Sequence, residues 1–301
     1  MVELNNLDTE QKNERTKNID ILSTIEVLKL MNDEDKRVAC AVEKELEQIE
    51  KAVDLIYEKM SVGGRLIYIG CGTSGRIGIL DAVECPPTFG TEPELVQALI
   101  AGGIMAFVKA VEGAEDNEEL GAVDLKGIGF SSNDILVGIA ASGRTPYVIG
   151  ALNYAKSIGA KTISLTSCSN SLLNEISDVS INPQTGPEVI TGSTRLKCGT
   201  AQKMVLNMLS TSVMIKLGKV YGNLMVDLKA TNEKLVERAV LIVRTITGVN
   251  DSVAREHLKA CDFSAKTAIV MLKCNLTAAE AEEAIIKAGG HISNIIDKSI
   301  R

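Results

Sequence analysis

Two loops rich in glycine and hydroxyl residues each follow an apolar run in this 301-residue chain. One lies in the run from Arg65 to Arg76 (RLIYIGCGTSGR), and the other lies in the run from Ile135 to Pro146 (ILVGIAASGRTP). A buried strand that opens into such a loop and a helix start directs backbone N–H groups and a helix dipole at one point, which favours an anion such as phosphate. The residues predicted to bind phosphate are Gly72, Thr73, Ser74, Ser142, Gly143 and Thr145.

Two glutamates near these loops could supply acid and base chemistry, which a phosphate cradle cannot do alone. Glu84 lies in LDAVECPPTFG, where Pro86 and Pro87 are expected to end the helix, so Glu84 is predicted in its last turn or just beyond. Glu115 lies in VEGAEDNEEL, close to the start of a short helix predicted over 117–124. Carboxylates at opposite kinds of helix end can act as a general acid and a general base. Such carboxylates are also common on protein surfaces, so a purely structural role stays open for both.

Four cationic side chains accompany the loops and the later GSTRLK segment. Arg76, Arg144, Arg195 and Lys197 could each neutralise an anionic ligand, and each could equally form an ordinary surface or interhelical pair. The two histidines of the chain fall in the C-terminal region, far from the loops in sequence. We therefore predict packing or surface roles for the histidines.

The chemistry-bearing loops need a sheet to bring them together. Strand-like runs occur at 65–70, 95–100, 134–140, 161–166 and roughly 178–181, with helical or loop segments between them. This alternation predicts an α/β fold with a parallel sheet and helices on both faces.

The helices around this sheet have recognisable end signals. Asn32, followed by an acidic first turn, predicts a helix start that continues to Gly63–Gly64. Apolar spacing predicts a long helix over about 196–218. From about residue 232 onward the pattern changes to short amphipathic helices, and Thr277 to Glu280 reads as a capping box.

Composition excludes several classes of function. The net charge is −7, aromatic residues make up 3%, and no basic stripe is interleaved with aromatics, so we expect neither nucleic-acid nor membrane partners. The polar N-terminus and the lack of an apolar run of about 18 residues predict a cytoplasmic protein. Seven scattered cysteines without a C-x-x-C pair predict neither a disulfide framework nor a zinc site. Cys71 and Cys85, beside the candidate site, are expected to be packing residues.

Several segments, taken together and in order, resemble the N-acetylmuramic acid 6-phosphate etherase family, which is built on the sugar isomerase (SIS) domain. They are GGRLIYIGCGTSGRIGILDAVECPPTFG (63–90), VEGAEDN (111–117), AASGRTPYV (140–148), GSTRLKCGTAQKMVLNMLS (192–210) and KVYGNLMVDLKATNEKL (219–235). The resemblance implies a five-stranded parallel sheet between helices, followed by a small ubiquitin-associated-like (UBA-like) helical domain. The expected organisation is an N-terminal arm and helices (1–50), a phosphosugar-binding catalytic domain (51–231) and the helical domain (232–301).

The resemblance also implies a reaction. The expected enzyme is a lyase that cleaves the D-lactyl ether of N-acetylmuramic acid 6-phosphate to N-acetylglucosamine 6-phosphate and D-lactate, by elimination followed by water addition. Glu84 would protonate the departing lactyl oxygen and then deprotonate water, and Glu115 would act at C2 of the opened sugar. Ser193 would contact the substrate, and Arg195 or Lys197 would bind the lactyl carboxylate. The resemblance implies no metal or organic cofactor, and it implies a homodimer.

Two other functions stay open at this level. An aldose–ketose isomerase on the same scaffold would abstract the C2 proton without releasing lactate. A non-catalytic phosphosugar sensor, similar to the glucokinase regulatory protein, would bind without turnover. Two positions depart from the family pattern: Cys71 replaces a smaller alanine, and Glu14 in TEQKNER stands where proline is frequent. The second departure leaves the contribution of the N-terminal arm to the site open.

Overall fold

The computed structural model describes residues 8–109, 111, 113–228, 230 and 232–296. Within these residues, five strands form one parallel sheet in the order β2-β1-β3-β4-β5. The strands are β1 (Leu66–Gly70), β2 (Val96–Ile100), β3 (Ile135–Ile139), β4 (Lys161–Leu165) and β5 (Val179–Ile181). The predicted strand positions and the predicted parallel sheet are therefore confirmed.

Helices occupy most of the remaining described chain. The α-helices are α1 (Thr24–Glu43), α2 (Leu46–Ser61), α3 (Gly72–Phe89), α4 (Met105–Val108), α5 (Glu118–Gly127), α6 (Pro146–Ser157), α7 (Leu172–Ile176), α8 (Lys197–Lys216), α9 (Glu233–Thr247), α10 (Asp251–Ala260), α11 (Ala265–Cys274), α12 (Ala278–Lys287) and α13 (Ser293–Ile296). Short 3-10 turns lie at Asp8–Glu10, Glu14–Thr16, Ile19–Ile21 and Ala114–Asp116. Within the described residues, no helix combines the length and the apolar character that crossing a membrane would require.

The strand order creates a switch point between β1 and β3. These strands are hydrogen-bonded neighbours, with Gly70 opposite Ile139, although β2 lies between them in the sequence. The chain leaves β1 toward β2 on one side and leaves β3 toward β4 on the other. The connections thus diverge and open a crevice at the carboxyl ends, which is where open α/β sheets bind ligands. Every residue of β1 and of β3 is buried, as their continuous apolar runs require.

The N-terminal helices differ from the sequence prediction. We predicted a helix start at Asn32, but α1 begins at Thr24 and runs through Asn32 without interruption. The actual start is a capping box in which Ser23 and Glu26 exchange hydrogen bonds. The N-cap of this capping box lies nine residues before Asn32, so the helix needs no asparagine cap at position 32. The predicted stop after α2 is confirmed, since Gly63 has a φ of +92°.

Helix α3 also departs from the prediction, because Pro86 and Pro87 lie inside it and the helix continues to Phe89. A proline has no N–H, so each of the two removes one backbone hydrogen bond of the helix. Its carbonyl group remains and can still accept a hydrogen bond from the next turn. The Gly90 N–H donates to the Pro86 carbonyl at 2.9 Å, and the φ of Gly90 is +64°. Glycine rather than proline therefore ends the helix, and Glu84 lies more than one turn before the end.

The chain divides into two compact units. The first contains the described residues of 8–83 and 94–210, including the sheet, and one apolar core of this unit joins β1 and β3 to α5 and α6. The second contains the described residues of 84–93 and 211–296, and its core is built from α9 to α13 and the segment before them. The predicted helical character after residue 232 and the capping box of Thr277 and Glu280 are confirmed.

Candidate active site

The first glycine-rich loop is almost entirely the start of a helix. Only Cys71 separates β1 from α3, which begins at Gly72. Gly72 has a φ of +51°, in the left-handed region that favours glycine. A Cβ on Gly75 would lie 2.7 Å from Ile100 Cγ1, so glycine at this position permits the first turn of α3 to pack against β2. The first N–H groups of α3 consequently lie at the carboxyl end of β1, where the helix dipole favours an anion.

The two hydroxyl side chains of this loop, Ser74 and Thr73, differ in burial and in hydrogen bonding. Ser74 is buried, and its Oγ donates to Gln202 Oε1 on α8 at 3.0 Å. The sequence suggests Ser74 as a further donor to a ligand, but in this structure its hydroxyl proton is donated to Gln202 instead. Thr73 is half-buried at the same turn. Gln202, which the sequence analysis missed, has an Nε2 group without a hydrogen-bond partner among the described residues.

The second loop is supported by the start of α7. Gly143 has a φ of +66°, and a Cβ at this position would collide with Ser171 Oγ. The Gly143 carbonyl accepts hydrogen bonds from the Leu173 N–H at 3.1 Å and from Ser171 Oγ at 3.3 Å. Arg144 donates to the Asn170 carbonyl at 3.0 Å. Both the backbone conformation and the close packing therefore require glycine at position 143.

Helix α6 opens directly from this loop. Thr145 occupies the N-cap position and Pro146 the first helical position, where a missing N–H costs nothing. The Thr145 side chain makes no capping hydrogen bond, so its hydroxyl is not committed to the N–H groups of the helix. Ser142 Oγ accepts a long hydrogen bond from the Arg144 N–H, at 3.4 Å. The Arg144 Nε is buried and has no hydrogen-bond partner within the described part of the chain.

The sheet brings the two loops together. Gly70 and Ile139 are paired across β1 and β3, and each loop begins within two residues of that pair. Neighbouring strands lie about 4.8 Å apart, so the loops that lead into α3 and α6 begin at adjacent positions of one sheet edge. The loops that share a sequence pattern thus share one edge of the sheet.

Glu115 lies beside the first loop. A cavity of about 190 Å³ is lined by Cys71, Gly72, Arg76, Ala101, Ala106, Val111 and Glu115. Arg76 donates to the carbonyl groups of Ala106 at 2.7 Å and Phe107 at 2.9 Å, so its guanidinium packs against α4. Glu115 itself is exposed and follows Gly113, whose φ of +75° starts the 3-10 turn. A carboxylate thus lies next to the helix start that the sequence predicts to bind an anion.

Cys71 shares the cavity but has the properties of a packing residue. The pKa of the Cys71 thiol is raised to about 12, mainly by burial and to a smaller extent by the nearby carboxylates of Glu115 and Asp116. The thiolate is the reactive form of cysteine, so Cys71 is unreactive near neutral pH. Cys85 is buried.

Glu84 belongs to the second unit of the chain. It lies on α3 and is exposed. In a regular helix the carbonyl groups of Ala82 and Val83 would accept hydrogen bonds from the N–H groups of residues 86 and 87. Both of these residues are prolines and have no N–H to donate. Glu84 therefore lies on a turn of helix whose backbone hydrogen bonding is incomplete, rather than at a helix end.

The GSTRLK segment forms the turn before α8. Gly199, in the first turn of α8, lies so close to the first loop that a Cβ there would be 3.4 Å from Thr73 Cγ2. Arg195 is exposed and Ser193 is half-buried. This turn therefore leads directly into the helix that packs against Thr73.

Lys197 is not available to a ligand. Its side chain is 1% exposed, and its Nζ donates to Glu34 Oε2 at 2.7 Å and to the Thr185 carbonyl at 3.0 Å. The sequence indicates Arg195 or Lys197 as the partner of a substrate carboxylate, and this ion pair leaves Arg195 as the candidate. The sequence signal that could have revealed the pairing is Glu34 on an otherwise apolar helix face, although its acidic neighbours are also typical of a first helical turn. Among the described residues, no cluster of three or more histidine, cysteine, aspartate or glutamate side chains could hold a metal ion.

Comparison with known families and folds agrees with this architecture. Residues 129–212 match the SIS domain family, and residues 48–156 match the N-terminal SIS domain of the glucokinase regulatory protein. A phosphoheptose isomerase structure from Francisella tularensis is similar, with a TM-score of 0.51 and 17% identity over 64% of this chain and 100% of that one. This likeness shows the SIS fold.

Full-length relatives identify the family. An N-acetylmuramic acid 6-phosphate etherase of Clostridium beijerinckii is 59% identical over 98% of this chain and 97% of its own length. One from Bacillus cereus is 55% identical over 97% of this chain and 100% of its own length. The predicted resemblance is thereby confirmed. The chain, with its paired glycine-rich loops and its GSTRLK turn, belongs to the N-acetylmuramic acid 6-phosphate etherase family.

Proposed function

We propose that this enzyme, a carbon–oxygen lyase, cleaves the D-lactyl ether of N-acetylmuramic acid 6-phosphate to N-acetylglucosamine 6-phosphate and D-lactate. The observation that carries the proposal is identity of 55–59% to enzymes of that name along essentially the whole chain. The same observation favours the etherase over the isomerase and sensor alternatives. A phosphorylated sugar is retained inside cells by its charge, so we expect the enzyme to act in the cytoplasm.

The phosphate is proposed to bind at the carboxyl ends of β1 and β3. The N-terminal ends of α3 and α6 supply backbone N–H groups and two helix dipoles. Thr145 and Thr73 supply hydroxyl groups, and the Arg144 Nε is a buried donor without a partner among the described residues. Gly72 and Gly143 allow the backbone to adopt left-handed conformations at these points. We assign this role to a catalytic region over residues 51–231, with the helices after 232 as a separate UBA-like domain.

The chemical steps follow from the acidity of the sugar. The C2 proton becomes acidic only when C1 is an open-chain aldehyde, so the ring opens first. Glu115, beside the first loop and its cavity, removes the C2 proton. The electron pair forms the C2–C3 double bond, and the C3–O bond to lactate breaks.

Glu84 is proposed as the acid and base at C3. It protonates the departing lactyl oxygen and then deprotonates the water that adds to C3, while a proton returns to C2. General acids and bases contribute about 10²- to 10⁴-fold each. Arg195, exposed on the turn before α8, is proposed to pair with the lactyl carboxylate, and Ser193 of the same turn is proposed to contact the sugar.

We further propose that the enzyme is a homodimer. Support comes from exposed apolar side chains of the first unit, including Ile104 (72% exposed), Met105 (60%) and Val108 (75%). Large exposed apolar patches commonly mark interaction surfaces. Sedimentation equilibrium of the wild-type chain and an Ile104→Ser/Val108→Ser variant tests the proposal. A wild-type mass of one chain would contradict it.

Isotope labelling tests the reaction. The purified chain is incubated with N-acetylmuramic acid 6-phosphate in ¹⁸O-labelled water, and both products are analysed by mass spectrometry. The proposal expects unlabelled lactate and label at C3 of the sugar, located by fragmentation because the C1 aldehyde also exchanges oxygen. Label in the lactate would mean cleavage on the lactyl side, and an absence of lactate would contradict the proposed function. Glu84→Gln serves as the matched variant, with an expected loss of at least 100-fold in rate.

A further inference from the structure

A fully buried carboxylate on α1 has no role in the proposed reaction. Glu34 is 0% exposed, and its Oε2 accepts a hydrogen bond from Lys197 Nζ at 2.7 Å. Lys197 is the first residue of α8 and comes two residues after Arg195. Buried ion pairs are costly to desolvate and are weak evidence for stability alone. The Glu34–Lys197 pair lies next to the turn proposed to bind substrate, which indicates a role in positioning that turn.

The N-terminal arm meets the same carboxylate. Asn13 Nδ2 donates to Glu34 Oε2 at 3.0 Å, and an Arg15 guanidinium nitrogen lies 2.8 Å from Glu34 Oε1. Asn13 Nδ2 also donates to the Pro187 carbonyl at 3.2 Å, and Thr16 Oγ1 donates to the Val189 carbonyl at 2.9 Å. The arm is thus joined both to Glu34 and to the backbone that precedes the GSTRLK turn.

The other end of that turn is held by a second buried carboxylate. Glu188, 0% exposed, accepts hydrogen bonds from the N–H groups of Lys197 at 3.0 Å and Cys198 at 2.9 Å. These are orphan donors of the α8 N-terminus, so Glu188 caps the helix. The segment 190–196 is therefore held at both ends. The N-terminal arm bonds the carbonyl groups of residues 187 and 189 before it, and Glu188 and Glu34 bond Lys197 after it.

We propose that Glu34, together with Lys197, Asn13 and Arg15, is a positioning group that holds the 190–196 turn in the geometry that binds substrate. The proposal rests on the proposed function, because it assigns to this turn the substrate contacts of Ser193 and Arg195. The N-terminal arm is then part of the substrate-binding apparatus, although none of these four side chains touches the substrate. Glu34 acts through Lys197 and the backbone.

The charges around Glu34 are consistent with a permanent anion. Burial raises the pKa of Glu34, but the hydrogen bond and charge of Lys197, the hydrogen bond of Asn13 and the charge of Arg37 outweigh it, so the pKa lies below its usual range. The charged groups that face Glu34 are Lys197 from α8, Arg15 from the arm and Arg37 from α1. Glu34 therefore stays ionised throughout the neutral pH range.

Arg15 provides the decisive test, because its side chain is 42% exposed and its loss leaves the Glu34–Lys197 pair intact. Arg15→Met is expected to raise the KM for N-acetylmuramic acid 6-phosphate about tenfold while kcat stays within twofold, and Arg15→Lys is expected to restore most of the affinity. Arg37→Met is the matched control, since Arg37 faces the same carboxylate at 3.8 Å, and its KM should stay within twofold of wild type. A KM for Arg15→Met equal to that of the control would overturn the proposal.

A paired variant separates positioning from stability. Glu34→Gln leaves a buried lysine unpaired and is expected to lower the melting temperature. Glu34→Met/Lys197→Met removes both charges and is expected to recover the melting temperature while KM stays raised. A double variant with wild-type KM would contradict the proposal. If the wild-type chain releases no lactate, calorimetric Kd values of the same phosphosugar for wild type and Arg15→Met decide the positioning role separately from the reaction.

Discussion

The two glycine-rich loops have the same sequence design but different surroundings. Gly143, in the loop after β3, is packed against Ser171, and its carbonyl accepts two hydrogen bonds from the start of α7. Gly72, in the loop after β1, has open space where its Cβ would be, and it lines the cavity that Glu115 also lines. The second loop is a supported platform, and the first loop is open on the side where the chemistry is proposed.

This difference teaches that a repeated motif does not imply a repeated role. A rigid platform suits an invariant group such as phosphate, because a group held in place before binding loses little entropy. An open loop beside a carboxylate suits the reacting part of the sugar. We therefore expect substitutions at the second loop to affect binding and stability, and substitutions near the first loop to affect turnover. Four predictions test this division.

The largest effect is expected at Glu115. Glu115→Gln keeps the size of the side chain but removes the base, so kcat for lactate release is expected to fall about 10²- to 10⁴-fold while KM changes little. Glu119→Gln, an exposed carboxylate on nearby α5, is the control and should retain wild-type kcat. A Glu115→Gln enzyme with a kcat near wild type would show that this side of the first loop carries no base.

The two glycines should differ strongly in stability. Gly143→Ala introduces both a left-handed alanine and a collision with Ser171, so denaturant unfolding is expected to show a loss of about 2–6 kcal/mol in the free energy of unfolding. Gly72→Ala has only the backbone penalty, about 1–2 kcal/mol. Gly127→Ala, where nothing lies within 4 Å, is the control and should cost nothing. Equal losses at positions 143 and 72 would contradict the proposed difference between the loops.

The hydroxyl groups should separate binding from support. Thr145→Val removes a hydroxyl not committed to capping, and hydrogen bonds to charged groups are worth about 1.5–3 kcal/mol, so KM is expected to rise at least tenfold. Ser74→Ala removes a hydroxyl already engaged by Gln202, so a KM change under threefold is expected, with a loss of about 1 kcal/mol in the free energy of unfolding. Steady-state kinetics and denaturant titration measure both. The reverse order of KM effects would contradict the proposed division between the two loops.

The smallest effect is expected at Cys71. With a pKa of about 12, the thiol stays protonated at pH 8, and its thiolate fraction grows only as the pH approaches that value. Iodoacetamide should therefore modify exposed Cys40 well before Cys71, as peptide mass spectrometry can show. Cys71→Ala should leave kcat within twofold of wild type. Rapid modification of Cys71 at neutral pH would indicate that the cavity is more open than the structure shows.

Local features of the sequence predicted much of the fold. The five strands were predictable because buried parallel strands are continuous apolar runs between turn residues. The start of α1 was not, because Asn32 and the acidic residues after it imitate a helix start, whereas the capping box of Ser23 and Glu26 decides the true one. The end of α3 was mispredicted because a long helix tolerates the loss of two hydrogen bonds when packing favours its continuation.

The sequence by itself determined the α/β class, the repeated pair of glycine-rich loops and, through its specific segments, the family of the enzyme. These properties depend on local periodicity and on residues that are contiguous in the chain. Only the tertiary structure decided that Lys197 pairs with Glu34 and that Ser74 is engaged by Gln202. Residues far apart in the chain meet in these contacts, and whether a polar side chain is free for a ligand depends on which distant partner the fold brings to it.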